Sequence, residues 1–155
     1  MLNFEKFLEH NVTITDGEKQ ELVSQAQGFN SQEDAEKELN DILNTDYPYG
    51  YKNIPDEMTL YRIIFIGDES GINEDELGRH WVMDKDLIDN DFIKKIRETS
   101  DAVGEPHIIK GIFDAKGVDW KETLHNNMQF PREYEVTAGD LQPLQYKIYT
   151  LEEFT

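Results

Sequence analysis

The chain has 155 residues and a mass of 18.1 kDa, room for one domain of ordinary size with a short helical appendage. It contains no cysteine, which excludes disulfides, zinc-thiolate sites, iron–sulfur clusters and thiol nucleophiles together. Fifteen basic residues against 33 acidic ones give a net charge of −18 and a pI near 4.4, a balance that opposes any function built on phosphate contacts along a nucleic-acid duplex.

The acidity is spread evenly. Residues 1–55 carry 11 acids and 4 bases, and residues 56–155 carry 22 and 11, so no acidic tail separates from the rest. Trp81, Trp120, seven Tyr and eight Phe supply the core material that disordered chains lack. No apolar run approaches the roughly 18 residues of a membrane span. The opening Met-Leu-Asn-Phe-Glu-Lys lacks the basic-then-apolar order of a secretion signal. These features predict a soluble, cytoplasmic protein with no membrane partner, whose charge favours basic partners.

In chain order, Phe4, Phe7 and Leu8 fall at i, i+3, i+4 and predict a short helix. Asp16 is the candidate N-cap of a second helix holding Leu22, Val23 and Ala26, closed near Gly28. Ser31 followed by Asp34 opens a third, in which Ala35, Leu39, Ile42 and Leu43 repeat at helical spacing. Residues 46–55, with two prolines, a glycine and three tyrosines, predict an ordered aromatic loop. Thr59 to Ile66 is the strongest strand, rich in β-branched and aromatic residues.

A polar loop then runs from Gly67 to Gly78, and Arg79 to Met83 is a short second strand. Asp84 or Asp86 is placed to cap a helix carrying Leu87, Ile88, Phe92 and Ile96, and His107 to Phe113 is a third strand. Asp114 to Phe130 has no dominant pattern and reads as irregular or partly helical; Arg132–Thr137 and Leu144–Tyr149 close the chain as strands. The predicted class is α+β, with a helical segment over residues 1–50 and an α+β domain over residues 51–155.

Three segments concentrate chemistry: Leu60-Tyr61-Arg62, Gly78-Arg79-His80-Trp81, and Arg132-Glu133-Tyr134-Glu135. Side chains alternate along a strand, so Glu133 and Glu135 share a face. Two carboxylates side by side suit a core badly and belong either in solvent or at a site that uses both. From the residues alone, Arg62 reads first as a surface or ion-paired strand residue, Glu133 and Glu135 as a solvated strand face, His80 as a satisfied polar group and Trp81 as a core anchor. His10, His107 and His125 have no metal-ligand spacing, and Asp84 to Asp91 lacks the glycine and bidentate glutamate of a calcium loop.

The ordered set resembles the ADP-ribosyltransferase superfamily, in a divergent branch common in phages and mobile elements. It pairs an arginine on the first core strand with a Gly-x-x-Trp turn at the second and a late Glu-x-Glu. The resemblance spans roughly Thr59 to Tyr149 and implies a split antiparallel β core that takes NAD as substrate. It implies a mono-ADP-ribosyltransferase, or an NAD glycohydrolase, that modifies a host protein or nucleic acid in the host cytoplasm.

By the same resemblance, Arg62 would hold a phosphate or ribose, with Tyr61 and Arg79 beside it. Trp81 would pack beneath the dinucleotide and His80 would touch the nicotinamide ribose, at a place where related chains carry serine. Glu135 would be the catalytic carboxylate, and Glu133 would orient or deprotonate the acceptor. The charge of −18 supports a different class of function, an acidic interaction protein that imitates DNA and blocks a basic nucleic-acid-binding surface.

Overall fold

The computed structural model describes residues 7–8, 10–66, 80–100, 104–129, 135–138 and 142–154. The first elements are not helical: β1 (Phe7–Leu8) pairs antiparallel with β2 (Asn11–Val12). An apolar stripe two turns long cannot offset the cost of helix nucleation on its own. The β-branched run Val12-Thr-Ile-Thr15 that follows favours extended chain. His10, at φ 69°, turns the hairpin, and Val12 enters the core with its N–H donating to the Tyr51 carbonyl at 3.0 Å.

Helix α1 (Asp16–Gln25) is capped by Thr15 rather than by Asp16. The Thr15 hydroxyl accepts from the Glu18 N–H at 3.2 Å while the Glu18 carboxylate accepts from the Thr15 N–H at 3.0 Å, a reciprocal capping box. Helix α2 (Gln32–Asn44) starts at Ser31, whose hydroxyl accepts from the Asp34 N–H at 3.1 Å, and it buries Ala35, Leu39 and Ile42 at the expected spacing. The aromatic loop after it is ordered, with Tyr51 and Ile54 buried. A Cβ on Gly50 would lie 2.2 Å from the Thr45 carbonyl oxygen, so that turn admits only glycine.

The strands β3 (Glu57–Ile66) and β4 (His80–Val82) follow. The single helix expected from Asp84 or Asp86 is instead two pieces. Asp84 caps a 3₁₀ turn over Lys85–Leu87, and α3 (Asn90–Ser100) begins at Asp89, whose carboxylate accepts from the Phe92 N–H at 2.8 Å. Closely spaced aspartates each capture a local backbone N–H, and this competition stops the first turn from running into the second.

Strand β5 (Glu105–Asp114) leads to a 3₁₀ turn and then to α4 (Trp120–Gln129), which supplies regular structure where the sequence shows no dominant pattern. β6 (Glu135–Thr137), β7 (Gln145–Thr150) and the one-turn α5 (Leu151–Phe154) complete the described chain.

Five strands form one antiparallel sheet in the order β6-β4-β3-β5-β7. The β3–β5 ladder runs ten pairs, from Glu57↔Asp114 to Ile66↔Glu105, and its register sorts the side chains by face. Met58, Leu60, Ile109 and Phe113 join Leu39 of α2 and Trp120, Leu124 and Met128 of α4 in one buried cluster that also takes in Val12. The helices before residue 50 and the sheet after it therefore share a core. Tyr61, Ile63 and Phe65 occupy the opposite face, where Tyr61 meets Phe154 edge-on at 5.7 Å and the Arg97 guanidinium lies 4.8 Å from the Phe65 ring centre. The fold is α+β, and no helix among the described residues is long and apolar enough to cross a membrane.

Candidate functional site

The site begins with the short pair β4–β6, in register His80↔Thr137, Trp81↔Val136 and Val82↔Glu135. Trp81 and Val136 are buried in the core, so alternation turns His80, Val82 and Glu135 toward the face covered by α3. Trp81 anchors the strand. Its ring meets Phe113 edge-on at 4.8 Å, and Gly111 makes the room: a Cβ there would lie 3.0 Å from the Phe113 ring and 3.4 Å from the indole.

A cleft of about 310 Å³ opens between these strands, β3 and α3. Ile63, Val82, Phe92 and Ile96 give it an apolar wall, and Tyr61, Arg62, His80 and Glu135 supply its polar groups. The His80 Nδ1 atom lies 2.6 Å from Glu135 Oε1; the imidazole is half-exposed and the carboxylate is more enclosed. Arg62 reaches across to β4, where Nη1 donates to the His80 carbonyl oxygen at 2.7 Å. Its Nε is buried and has no hydrogen-bond partner among the described residues.

Burial pulls the Arg62 guanidinium down from its ordinary value, and the nearby Glu135 charge acts in the opposite direction. A guanidinium stays cationic under both influences. Burial, with Asp84 and Asp86 adding to it, raises the Tyr61 phenol, which is therefore a neutral donor.

Glu135 is held from behind by α4. The Asn127 side chain brackets its backbone, with Nδ2 donating to the Glu135 carbonyl at 2.9 Å and Oδ1 accepting from the Glu135 N–H at 3.1 Å. Thr123 Oγ1 accepts from the Thr137 N–H at 2.9 Å, so side chains of α4 satisfy the edge of β6 in place of a further strand. Asn127 Nδ2 also meets the hydroxyl of fully buried Tyr51 and the Thr123 carbonyl. Burial raises Tyr51 far above its ordinary value, Glu135 adds to the shift and the Asn127 bond offsets part of it.

Of the residues singled out from sequence, Arg62, Tyr61, His80, Trp81 and Glu135 line this one cleft. Glu133 and Arg79 lie outside the described residues. Sequence reasoning missed Asn127, Thr123 and the apolar wall from α3. The only local hint of the bracket is the spacing Asp119-x-x-Glu122, a helix-start signal; the Asp119 carboxylate accepts from the Glu122 N–H at 3.0 Å. No group of three or more His, Asp or Glu among the described residues is arranged to hold a metal ion. Comparison of the chain with protein-family models, curated proteins and solved structures returned no match.

Proposed function

We propose that the cleft takes NAD as its substrate and breaks the bond between nicotinamide and ribose, passing ADP-ribose to a macromolecule or to water. In this reading the sheet is the split antiparallel core of an ADP-ribosyltransferase-like domain working in the cytoplasm. The observation that carries it is the meeting of Arg62, His80 and Glu135, from three different strands, around one cleft.

The chemistry fits the residues. Cleavage builds positive charge on the ribose, and a carboxylate already in place stabilises that charge as it develops, as in glycoside hydrolysis. Glu135 is fixed for that task by the Asn127 bracket. Arg62 lines the cleft and carries a fixed positive charge, the chemistry that a phosphate or ribose oxygen calls for. Ile63, Val82 and Phe92 offer the nicotinamide ring an apolar surface. NAD is itself anionic, and a chain at −18 repels it at long range, so binding depends on Arg62 acting locally. Titrating NAD into the protein tests this: wild type binds, Arg62→Ala binds at least tenfold more weakly, and labelled NAD marks an acceptor in a cell lysate. Equal binding by both proteins, or none by wild type, contradicts the reading.

The charge favours a second reading. The outward side of α2 exposes Glu33, Asp34, Glu36 and Asp41 against a lone Lys37, a surface suited to a basic partner such as a nucleic-acid-binding protein. Such binding weakens steeply with salt and survives Glu135→Gln, whereas neutralising the four α2 acids together abolishes it.

A further inference from the structure

We propose that His80 is the proton acceptor of the reaction, with Glu135 as the carboxylate that orients it. This rests on the NAD reading above and assigns the proton step of that same site. For Glu135 Oε1 to accept from Nδ1 at 2.6 Å, Nδ1 must carry the hydrogen, which leaves Nε2 as the basic nitrogen of the neutral ring. Nε2 has no hydrogen-bond partner among the described residues, and the ring is half-exposed on the cleft wall. A carboxylate on one imidazole nitrogen and an open second nitrogen is the arrangement of a general base with its orienting partner.

The other polar groups around the ring favour the same division of labour. Arg62 donates to the His80 backbone carbonyl rather than to the ring, so it fixes the strand without competing for Nε2. Among the described residues, Tyr61 on β3 is the remaining titratable side chain lining the cleft, with Asp84 and Asp86 acting on it from the turn after β4, and α3 contributes the apolar Phe92 and Ile96 to the wall. The step then balances. The C1′–N bond of the nicotinamide riboside breaks and its electron pair leaves with neutral nicotinamide. An oxygen or nitrogen of the acceptor, or of water, bonds to C1′, and its proton passes to His80 Nε2. The imidazolium so formed is stabilised against Glu135 and returns the proton to solvent.

The test is nicotinamide release from NAD between pH 5 and 9 by wild type, His80→Gln and His80→Ala, with circular dichroism to confirm folding. His80→Gln is expected to lower kcat by about 10²–10⁴-fold, the usual worth of a general base, with KM changed only a few-fold. It should also flatten the acidic limb of the pH profile, and added imidazole should restore part of the His80→Ala rate. A merely structural histidine would give none of these three signatures. Release by wild type that His80→Gln neither slows nor reshapes overturns the base assignment alone. No release by wild type, at any pH, overturns the NAD reading and this assignment with it.

Discussion

The two halves of the sheet are built on different principles. β3 and β5 pair over ten residues, bury Leu60, Ile109 and Phe113 completely, and are held by ladder and core. β4 and β6 pair over three residues, yet carry His80 and Glu135. A three-residue ladder does not hold itself. Trp81 pins β4 from the core side, and the Asn127 and Thr123 side chains pin β6 from α4. The long half gives stability, and the short half gives position through contacts that need the tertiary structure first.

Substitutions that separate the halves sharpen this contrast. The largest expected effect is on stability: Phe113→Ala removes a fully buried ring from the long half and should cost about 3–5 kcal/mol in chemical denaturation. Next is Glu135→Gln in the short half, expected to leave the denaturation midpoint nearly unchanged while slowing nicotinamide release about 10²–10³-fold, about 2.7–4 kcal/mol on the barrier. Asn127→Ala should affect both readouts, because it strips the bracket from Glu135 and orphans the buried Tyr51 hydroxyl; about 1–3 kcal/mol of stability and part of the activity should go together. If Asn127→Ala lowers stability and leaves turnover intact, the bracket has no positioning role.

Smaller effects lie outside the sheet's two halves. Thr15→Ala breaks the α1 capping box at a cost of about 1 kcal/mol, without effect on catalysis. Burial pushes the Tyr47 phenol up to about 12, while its hydroxyl donates to the Thr59 carbonyl at 3.0 Å. A phenol whose folded value is raised holds its proton more tightly when folded. The stability it contributes is complete below about pH 10 and is lost as pH rises toward 12. Denaturation measured across that alkaline range should therefore fall less steeply for Tyr47→Phe than for wild type.

What the sequence made legible follows the same division. β3 and α2 are written in local signals, a β-branched run and a Ser31 cap with apolar residues at helical spacing. The meeting of Arg62, His80 and Glu135 was implied only by the family resemblance; strand patterning alone left each of them readable as an ordinary strand residue. α4 was not legible, because its inward face mixes Trp120, Leu124 and Met128 with Thr123 and Asn127, and buried polar residues break the apolar period. Those same two residues hold β6, so the feature that hid the helix is the one that positions Glu135. The β1–β2 hairpin was hidden for another reason: two-residue strands are too short to show a period, and the extended chain favoured by the β-branched residues after Asn11 is held by backbone bonds to Tyr51 and Ile54.

The most direct test of the account is chromatographic measurement of nicotinamide released from NAD by the purified protein, beside its Glu135→Gln variant. Steady release by wild type with a loss of at least a hundredfold in the variant is the predicted result. Equal release by the two proteins, or none from wild type, would contradict it.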